Sequence, residues 1–488
     1  MTGAATILAA LAVPLAGALG ILLAGRVSAN LRETVTLVTA TLLAVVVWSL
    51  LPELMAGARP AVSVAEVVPG IEIAFRVEPL GMLFAALASG LWIVNSVYSI
   101  GYMRGNNESN QTRFYTFFAI ALAAAMGVAF AANLFTLFLF YEVLTLSTYP
   151  LVSHKGDAAT VRSARVYLGI LLTTSIGLFL PAIVWTYIAA GTGDFTPGGI
   201  LEGKLGGPLL GLLLGLFVFG VGKAAVMPVH RWLPAAMVAP TPVSALLHAV
   251  AVVKAGVFTI TKLIVYIFGV DYLFGQPSGE WLLYAAAFTI VAASAVALRQ
   301  TNIKRLLAYS TVSQLSYIVL AADILKPLAE VGAAIHMVAH AFGKITLFFA
   351  AGAIYTASKK TEIAQLAGIG RRMPWTTAAF TIGAFSMIGV PPTGGFVSKW
   401  YILAGAFQAD NYVAIFTMIA STALNALYFL PIVYLAWFGR EPEGAKEHGE
   451  APFPAVLALT VTATLTILFF FFNGPVIALE RQLIEVWE

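Results

Sequence analysis

GVGKAAVMPVHRWLPAAMVAPTPVSALLHAVAVVKAGVF, residues 220–258, decides the fold. It is apolar over most of its length, yet Lys223 and Lys254 stand inside the apolar runs, and Pro228, Pro234, Pro240 and Pro242 lie between them. Proline lacks an amide donor and frees the carbonyl four residues earlier, so the stretch reads as helix, interruption, helix. Irregular backbone of this kind is tolerated at membrane depth where it is buried in protein or lines a polar cavity.

The rest of the chain agrees with a membrane setting. Of its 488 residues 60% are apolar and only 10% charged, and the mean hydropathy is +0.90. Soluble domains carry roughly 25% charge, so there is too little polar material here for a water-facing surface. Apolar runs of about 20 residues predict helical spans rather than the alternating strands of a barrel. Fourteen candidate spans follow, at about 4–24, 35–52, 79–103, 114–132, 134–152, 164–190, 208–229, 242–269, 280–301, 305–323, 328–356, 375–406, 411–438 and 452–473. The expected fold class is an all-α polytopic membrane protein. The first span has no basic stretch before it and does not read as a cleaved signal peptide. The connections at 54–75 and 441–450 read as short polar loops, too small for a soluble enzyme domain, so the expectation is a transport subunit without catalysis of its own.

Zero cysteines exclude disulfides, thiol nucleophiles and cysteine-ligated zinc or iron-sulfur centres, and a net charge of +4 does not suggest nucleic acid as a partner. The glycine-rich stretch at 191–207 reads as a connector rather than a nucleotide loop. No metal site or cofactor is expected.

Lysine and arginine report orientation. Alternate connections hold seventeen on one side, among them Arg26, Lys155, Arg231, Lys304, Lys360 and Lys446, and five on the other, Arg59, Arg76, Lys204, Lys326 and Arg481. The richer side is expected in the cytoplasm of a cell inner (plasma) membrane, with both termini outside. Five of the 27 basic residues remain, all within spans: Lys223, Lys254, Lys262, Lys344 and Lys399.

A charge at mid-bilayer costs from about 2.5 to more than 10 kcal/mol, so these lysines should face protein or water. Lys262 lies late in its span and has an equal claim to be a snorkelling, structural residue. Glu142, in FLFYEVLTLSTYP, is the one acidic residue deep within a span, and so an ion-pair or proton site. His248, His336 and His340 also fall within spans. His336, His340 and Lys344 follow one another at i, i+4 and i+8 and form a row on one helical face, an arrangement that suits a proton relay. GVPPTGGFVSK places Pro391, Pro392, Gly394 and Gly395 just before Lys399, a second interruption. Paired broken helices in two halves of one chain point to a transporter with inverted repeats.

Taken in order, FYEVLTLSTYPLV, GVGKAAVMPVHRWLP, APTPVSALLHAVAVVKAGVF, NIKRLLAYSTVSQLSYI, HMVAHAFGKITLFF and IGVPPTGGFVSKW resemble the antiporter-like membrane subunits shared by respiratory complex I, membrane-bound hydrogenases and Mrp-type cation/proton antiporters. The resemblance spans about residues 79–440 and is strongest to the D subunit of Mrp-type antiporters. It implies fourteen helices with two inverted five-helix repeats. The corresponding division is 1–110, 111–277, 278–438 and 439–488, with helices 7 and 12 broken. It also implies a switching ion pair of Glu142 with Lys223, a wire continued by His248 and Lys254, then by His336, His340 and Lys344, and ended at Lys399; Lys262 and His230 are candidate accessories to it on their position in the chain alone. The implied function is a proton-translocating subunit that works with other membrane subunits of a hetero-oligomeric complex and with Na⁺ or K⁺ as the exchanged cation. The competing implication is a proton-pumping subunit of a redox-driven complex.

Overall fold

The computed structural model describes residues 2–441 and 447–484, with side chains at all of these except 247–249, 483 and 484. Lys446 therefore lies outside the described residues. The chain is helical almost throughout, as a membrane requires, because a helix satisfies its backbone groups internally. In chain order the main helices are α1 (Gly3–Ala24), α2 (Ala29–Trp48), α3 (Pro79–Gly105), α4 (Gln111–Phe130), α5 (Leu134–Val152), α6 (Ala158–Thr174), α7 (Leu180–Ala190), α8 (Gly207–Gly220) and α9 (Thr241–Ala249). They continue with α10 (Val252–Leu263), α11 (Trp281–Ala297), α12 (Ile303–Asp323), α13 (Pro327–Ser358), α14 (Pro374–Ile388), α15 (Gly394–Gln408), α16 (Tyr412–Phe438), α17 (Phe453–Phe471) and α18 (Gly474–Ile484).

Ten helical stretches among the described residues are long and apolar enough to cross a membrane. The other four expected spans fall on α8, on α9 with α10, on α12, and on α14 with α15, which are shorter, interrupted or more polar. Several helices start at a short polar side chain that takes up an otherwise unpaired amide. Asn133 Oδ1 accepts from the Thr136 amide at 2.8 Å, and Asp157 Oδ1 from the Thr160 amide at 2.8 Å. That bond, with a second from the Thr160 hydroxyl, holds the exposed Asp157 carboxyl below its usual range.

Residues 54–75 are more ordered than a polar loop. Two antiparallel strands, β1 (Ala61–Val68) and β2 (Ile71–Arg76), form a hairpin whose turn is closed by Gly70 in the left-handed region. The inner strand is tied to the bundle where the Thr136 hydroxyl accepts from the Ala74 amide at 3.0 Å.

The longest helix, α13, is the axis of the molecule. Its 32 residues rise about 48 Å at ~1.5 Å each. In its most apolar window 94% of residues are buried, against 33% for the stretch formed by α6 and α7, so α13 is enclosed by protein and α6–α7 is peripheral. Around α13 pack α3, α9, α12, α14, α15 and α17.

Three interruptions shape the interior. After α8 the chain makes a single 3₁₀ turn, Gly222–Ala224, followed by Ala225 with φ of 58°, and then irregular backbone up to Trp232. Between α14 and α15 the break spans 389–393, where Gly389 has φ of 91°. Both sit where prolines predict them. A third break, at Val250 and Ala251, divides the expected continuous span 242–269 into α9 and α10.

Candidate functional site

The first interruption exposes polar backbone to the lysine it carries. Lys223, wholly buried in the 3₁₀ turn, donates from Nζ to the Tyr141 carbonyl at 2.9 Å and to the Thr145 hydroxyl. Its ammonium stands 3.1 Å from the centroid of the Tyr141 ring, and the Tyr141 hydroxyl accepts from the Lys223 amide at 3.1 Å. The expected contact with Glu142 is not made. Glu142, half-buried on α5, forms no ion pair among the described residues, and its Oε1 is buried without a hydrogen-bond partner. It remains within electrostatic reach of Lys223. The pair is therefore open, and the reason is geometric: Lys223 meets the face of α5 that presents Tyr141 and Thr145, one turn apart, and Glu142 lies about 100° around that helix from Tyr141.

Gly256 brings the Lys223 turn against α10. A Cβ at Gly256 would overlap the amide of Ala224 and the carbonyl carbon of Lys223, so only glycine permits this approach. Lys254, two residues earlier and wholly buried, reaches across to α13, where its Nζ lies 3.1 Å from His340 Nδ1. His248 falls on the backbone of α9, but its side chain lies outside the described residues.

On α13 the row expected from the i, i+4, i+8 spacing is present. The rings of His336 and His340 are 6.1 Å apart, and His336, His340 and Lys344 are all buried. Each has a separate set of partners. His336 Nδ1 is 2.9 Å from the Ser398 hydroxyl, and its ring stacks on Tyr317 at 5.2 Å. Lys344 Nζ donates to the Ser310 hydroxyl at 2.7 Å, and Ser310 in turn accepts from the Tyr428 hydroxyl at 2.9 Å. The Nε2 atoms of both histidines are buried without a partner among the described residues.

The second interruption receives Lys399. Its Nζ donates to the Ile388 carbonyl at 2.8 Å, one of the groups left free where α14 ends, and to the Thr422 hydroxyl at 3.2 Å. Gly389, left-handed at the end of α14, leaves room for this, since a Cβ there would stand 2.8 Å from the Lys399 Cδ. Lys399 also lies 5.2 Å from the Tyr317 ring that stacks on His336. Lys254, His340, His336 and Lys399 are thus brought into one buried polar chain, with Ser398 and Tyr317 between its last members.

Lys262 does not snorkel. Its side chain is 1% exposed and pairs with Glu78 at 2.9 Å, and its Nζ also donates to the Ala131 carbonyl at 2.8 Å. Glu78 is the residue before α3, at the end of the hairpin, and it lies 3.9 Å from Arg76. Glu78 falls just before the span expected at 79–103, and nothing local to it marks a partner; only folding brings it against Lys262 of α10. His230 is partly buried near the Tyr309 ring at 6.2 Å, and no contact joins it to the row on α13 among the described residues.

Residue reading also passed over Tyr141, Thr145, Ser310, Tyr317, Ser398 and Tyr428. They are uncharged and lie within apolar motifs, so composition does not distinguish them. Their positions one helical turn from, or opposite, a buried lysine or histidine are the only signal. Among the described residues no group of three or more His, Asp or Glu is placed to hold a metal ion.

Electrostatically the site is unusual. Desolvating an ion costs several kcal/mol even after relaxation, whereas each hydrogen bond to a charged group returns about 1.5–3 kcal/mol. Lys223, Lys254, Lys344 and Lys399 have carbonyls, hydroxyls and one imidazole for partners and no contacting carboxylate among the described residues. The balance is close enough for a nearby charge to decide which of them is protonated.

Residues 131–425 match the transmembrane family described as NADH:quinone oxidoreductase/Mrp antiporter. NADH-quinone oxidoreductase subunit N of Desulforudis audaxviator is 33% identical over 391 residues, 79% of this chain and 76% of that protein. A Na(+)/H(+) antiporter subunit of Alkalihalophilus pseudofirmus is 31% identical over 443 residues, 83% of this chain but 53% of that longer protein. A chain in the structure of the Mrp complex from Dietzia sp. superposes with a TM-score of 0.86 at 22% identity, covering 99% of this chain and 97% of that one. A chain of the membrane-bound sulfane sulfur reductase, an archaeal respiratory membrane complex, superposes with a TM-score of 0.84 at 24% identity, covering 98% and 96%. These two likenesses establish the fold. From the matched segment and the relatives' identity, the chain belongs to the NADH:quinone oxidoreductase/Mrp antiporter transmembrane family.

Proposed function

We propose that this chain is the proton-translocating subunit of a multisubunit monovalent cation/proton antiporter, in the position of an Mrp D subunit. Protons move laterally along the buried row from Glu142 and Lys223, past His248 and Lys254, through His340 and His336 to Lys399, with Lys344 as a side branch. The observation that carries this reading is the 3.1 Å contact between Lys254 and His340, which joins a lysine of one half of the chain to the histidine row of the other. An amine and an imidazole in direct contact cannot both hold a charge-bearing proton cheaply, so a proton arriving at one is favoured to leave the other.

Opening and closing of Glu142 with Lys223 is the switch. Closed, the carboxylate stabilises a charged Lys223; open, Lys223 keeps Tyr141 and Thr145 as its hydrogen-bond partners among the described residues and can pass its proton on. A cation moving in a neighbouring subunit biases proton movement by changing which arrangement is favoured. In this reading residues 111–277 and 278–438 are two inverted halves, each with a helix break at which a buried lysine stands, flanked by 1–110 and 439–488. The Lys/Arg-rich connections face the cytoplasm across the plasma membrane, and both termini face outward.

A second reading, a proton-pumping subunit of a redox-driven complex, is favoured by the similarity to a quinone oxidoreductase subunit over most of both chains. Both use the same row. Transport of Na⁺, K⁺ and H⁺ by the purified complex in vesicles decides between them: exchange without any redox substrate supports the antiporter, and proton movement that requires one supports the pump.

A further inference from the structure

One large cavity is not used by the proposed proton row. It has a volume of about 840 Å³ and opens at the Lys/Arg-rich face, between α6, the link 231–239 with its two short helical turns, the start of α12 and the end of α13. Lys155, Arg231, Lys304, Arg305 and Lys360 line it, and among the described residues no Asp or Glu does. The nearby carboxylates are otherwise placed. Glu362 accepts from the Asn302 amide group at 3.1 Å, and Glu108 stands outside the lining, 4.0 Å from His154, with its charge still felt by Lys304. Lys304 Nζ spends one donor on the Ala239 carbonyl at 2.7 Å, while Lys360 Nζ is buried with no hydrogen-bond partner among the described residues.

Five basic side chains around one cavity repel one another, and burial, with Lys155 beside it, pushes the Lys304 ammonium down to about 7, so the vestibule disfavours cations and an anion there restores the charge on Lys304. The vestibule is suited to an anion with several acceptor oxygens, as a phosphate has. The remaining walls narrow the choice. Val166 and Ile170 of α6, with Met237 and Val238 of the link, are apolar, and α6 belongs to the peripheral stretch of the bundle, so the cavity lies one helix away from lipid. Basic pockets between membrane helices at the positively charged face are where anionic headgroups lodge.

We propose that this cavity is a binding site for an anionic phospholipid, its phosphate held by Lys304, Lys360 and Arg231 and one acyl chain lying along Val166 and Ile170. The occupant bears on transport through the link. Arg231, Pro234, Met237 and Ala239 all line the cavity, and they belong to the segment that joins the Lys223 turn to α9. A headgroup pulling Arg231 and Lys304 together fixes that link, and with it the end of the broken helix. This consequence for transport rests on the proposed proton path, whereas the binding site itself does not.

The test is lipid retention by the purified whole complex. It is placed in nanodiscs of phosphatidylcholine with a graded fraction of phosphatidylglycerol, and bound lipid is read by native mass spectrometry. The expected result is phosphatidylglycerol retained on the wild type, with apparent affinity about thirtyfold lower in K304Q/K360Q, at ~1 kcal/mol per basic residue. K304R/K360R should retain the lipid, which separates loss of charge from misfolding, and K359Q, beside the cavity but not lining it, should bind as the wild type does. Equal retention by wild type and K304Q/K360Q overturns the proposal. So does displacement of the effect to solution, in which inorganic phosphate protects the complex from thermal unfolding in pure phosphatidylcholine and phosphatidylglycerol does not. Because retention needs no transport, its failure leaves the proton-path reading untouched.

Discussion

Lys223 rests on Tyr141, with its ammonium 3.1 Å from the ring centroid and 2.9 Å from that residue's own carbonyl, although Glu142 is the next residue along α5. The two partners differ in kind. The ring and carbonyl offer partial negative charge wherever the lysine is, whereas the carboxylate offers a full charge that the lysine must move to meet. In the proposed mechanism this arrangement is the open position of the switch.

Glu142→Gln and Lys223→Ala should each lower proton-coupled transport at least tenfold while leaving assembly intact, because neither carries a contacting ion pair in the open state. Thr145→Val removes only a hydroxyl partner of the open state and should bias Lys223 towards Glu142, changing the rate several-fold. Proteoliposome transport, with complex assembly checked by gel filtration, reads both effects. Unchanged transport in E142Q and K223A sinks the switch.

His340→Ala should interrupt the row between Lys254 and His336, since those two share no direct contact among the described residues. Transport should fall at least tenfold. Lys344→Ala, on the branch towards Ser310 and Tyr428, should have the smaller effect. The reverse order would reassign the main path to Lys344.

Lys262 and Glu78 make an ion pair enclosed within the bundle, with side chains 1% and 5% exposed. Removing either partner alone strands a buried charge, at a cost of about 3–5 kcal/mol. Lys262→Met and Glu78→Gln should each lower the melting temperature of the complex, and the double variant should recover much of the loss. Arg76, 3.9 Å from Glu78, limits the recovery. If the double variant is as unstable as the sum of the singles, the pair is not coupled.

Gly256→Ala tests the close approach of α10 to the Lys223 turn. The added methyl has no free space there, so either the turn shifts or the packing strains, at a cost of about 1–3 kcal/mol. Loss of transport should exceed the loss of stability, because the displaced group is Lys223 itself. Wild-type transport in G256A would show that the turn can move without consequence.

His154 lies in the connection after α5, outside the membrane-spanning segments. Burial, reinforced by the charge of Arg113 nearby, pushes its imidazole down to about 4 from the usual 6.5. The unfolded chain therefore binds a proton that the folded chain refuses between those two values, and stability contributed by the neutral ring is present above pH 6.5 and is lost as pH falls towards 4. At ~1.4 kcal/mol per unit the loss is about 3 kcal/mol. His154→Gln should flatten the fall in melting temperature over that window while changing little at about pH 8.

Part of this site is legible in the chain because local rules are enough. His336, His340 and Lys344 share a face whenever residues 336–344 are helical, and Pro228 and the Pro391–Pro392 pair, clustered with further prolines or glycines, mark interruptions, whereas the lone Pro14, Pro150 and Pro431 are carried inside continuous helices. Glu142 and the five lysines stand out because charge is rare in apolar runs. Other parts depend on distant segments. Nothing in HAVAVVKAG marks the break at Val250 and Ala251, which carries neither proline nor glycine, and nothing in the hairpin names Glu78 as the partner of Lys262.

The sequence by itself therefore determined the solvent, most of the helices and, among the buried ionisable groups, Glu142 and the five lysines, because transfer free energy and helical periodicity act residue by residue; buried Glu78, Glu330 and Glu480 lie near helix ends and carry no such mark. The tertiary structure decided their pairing: Lys223 with Tyr141 and Thr145 instead of Glu142, Lys254 with His340, and Lys262 with Glu78. A partner in a buried site is whichever group the packing of distant helices brings within about 3 Å, and that distance is a property of the whole bundle rather than of any one segment.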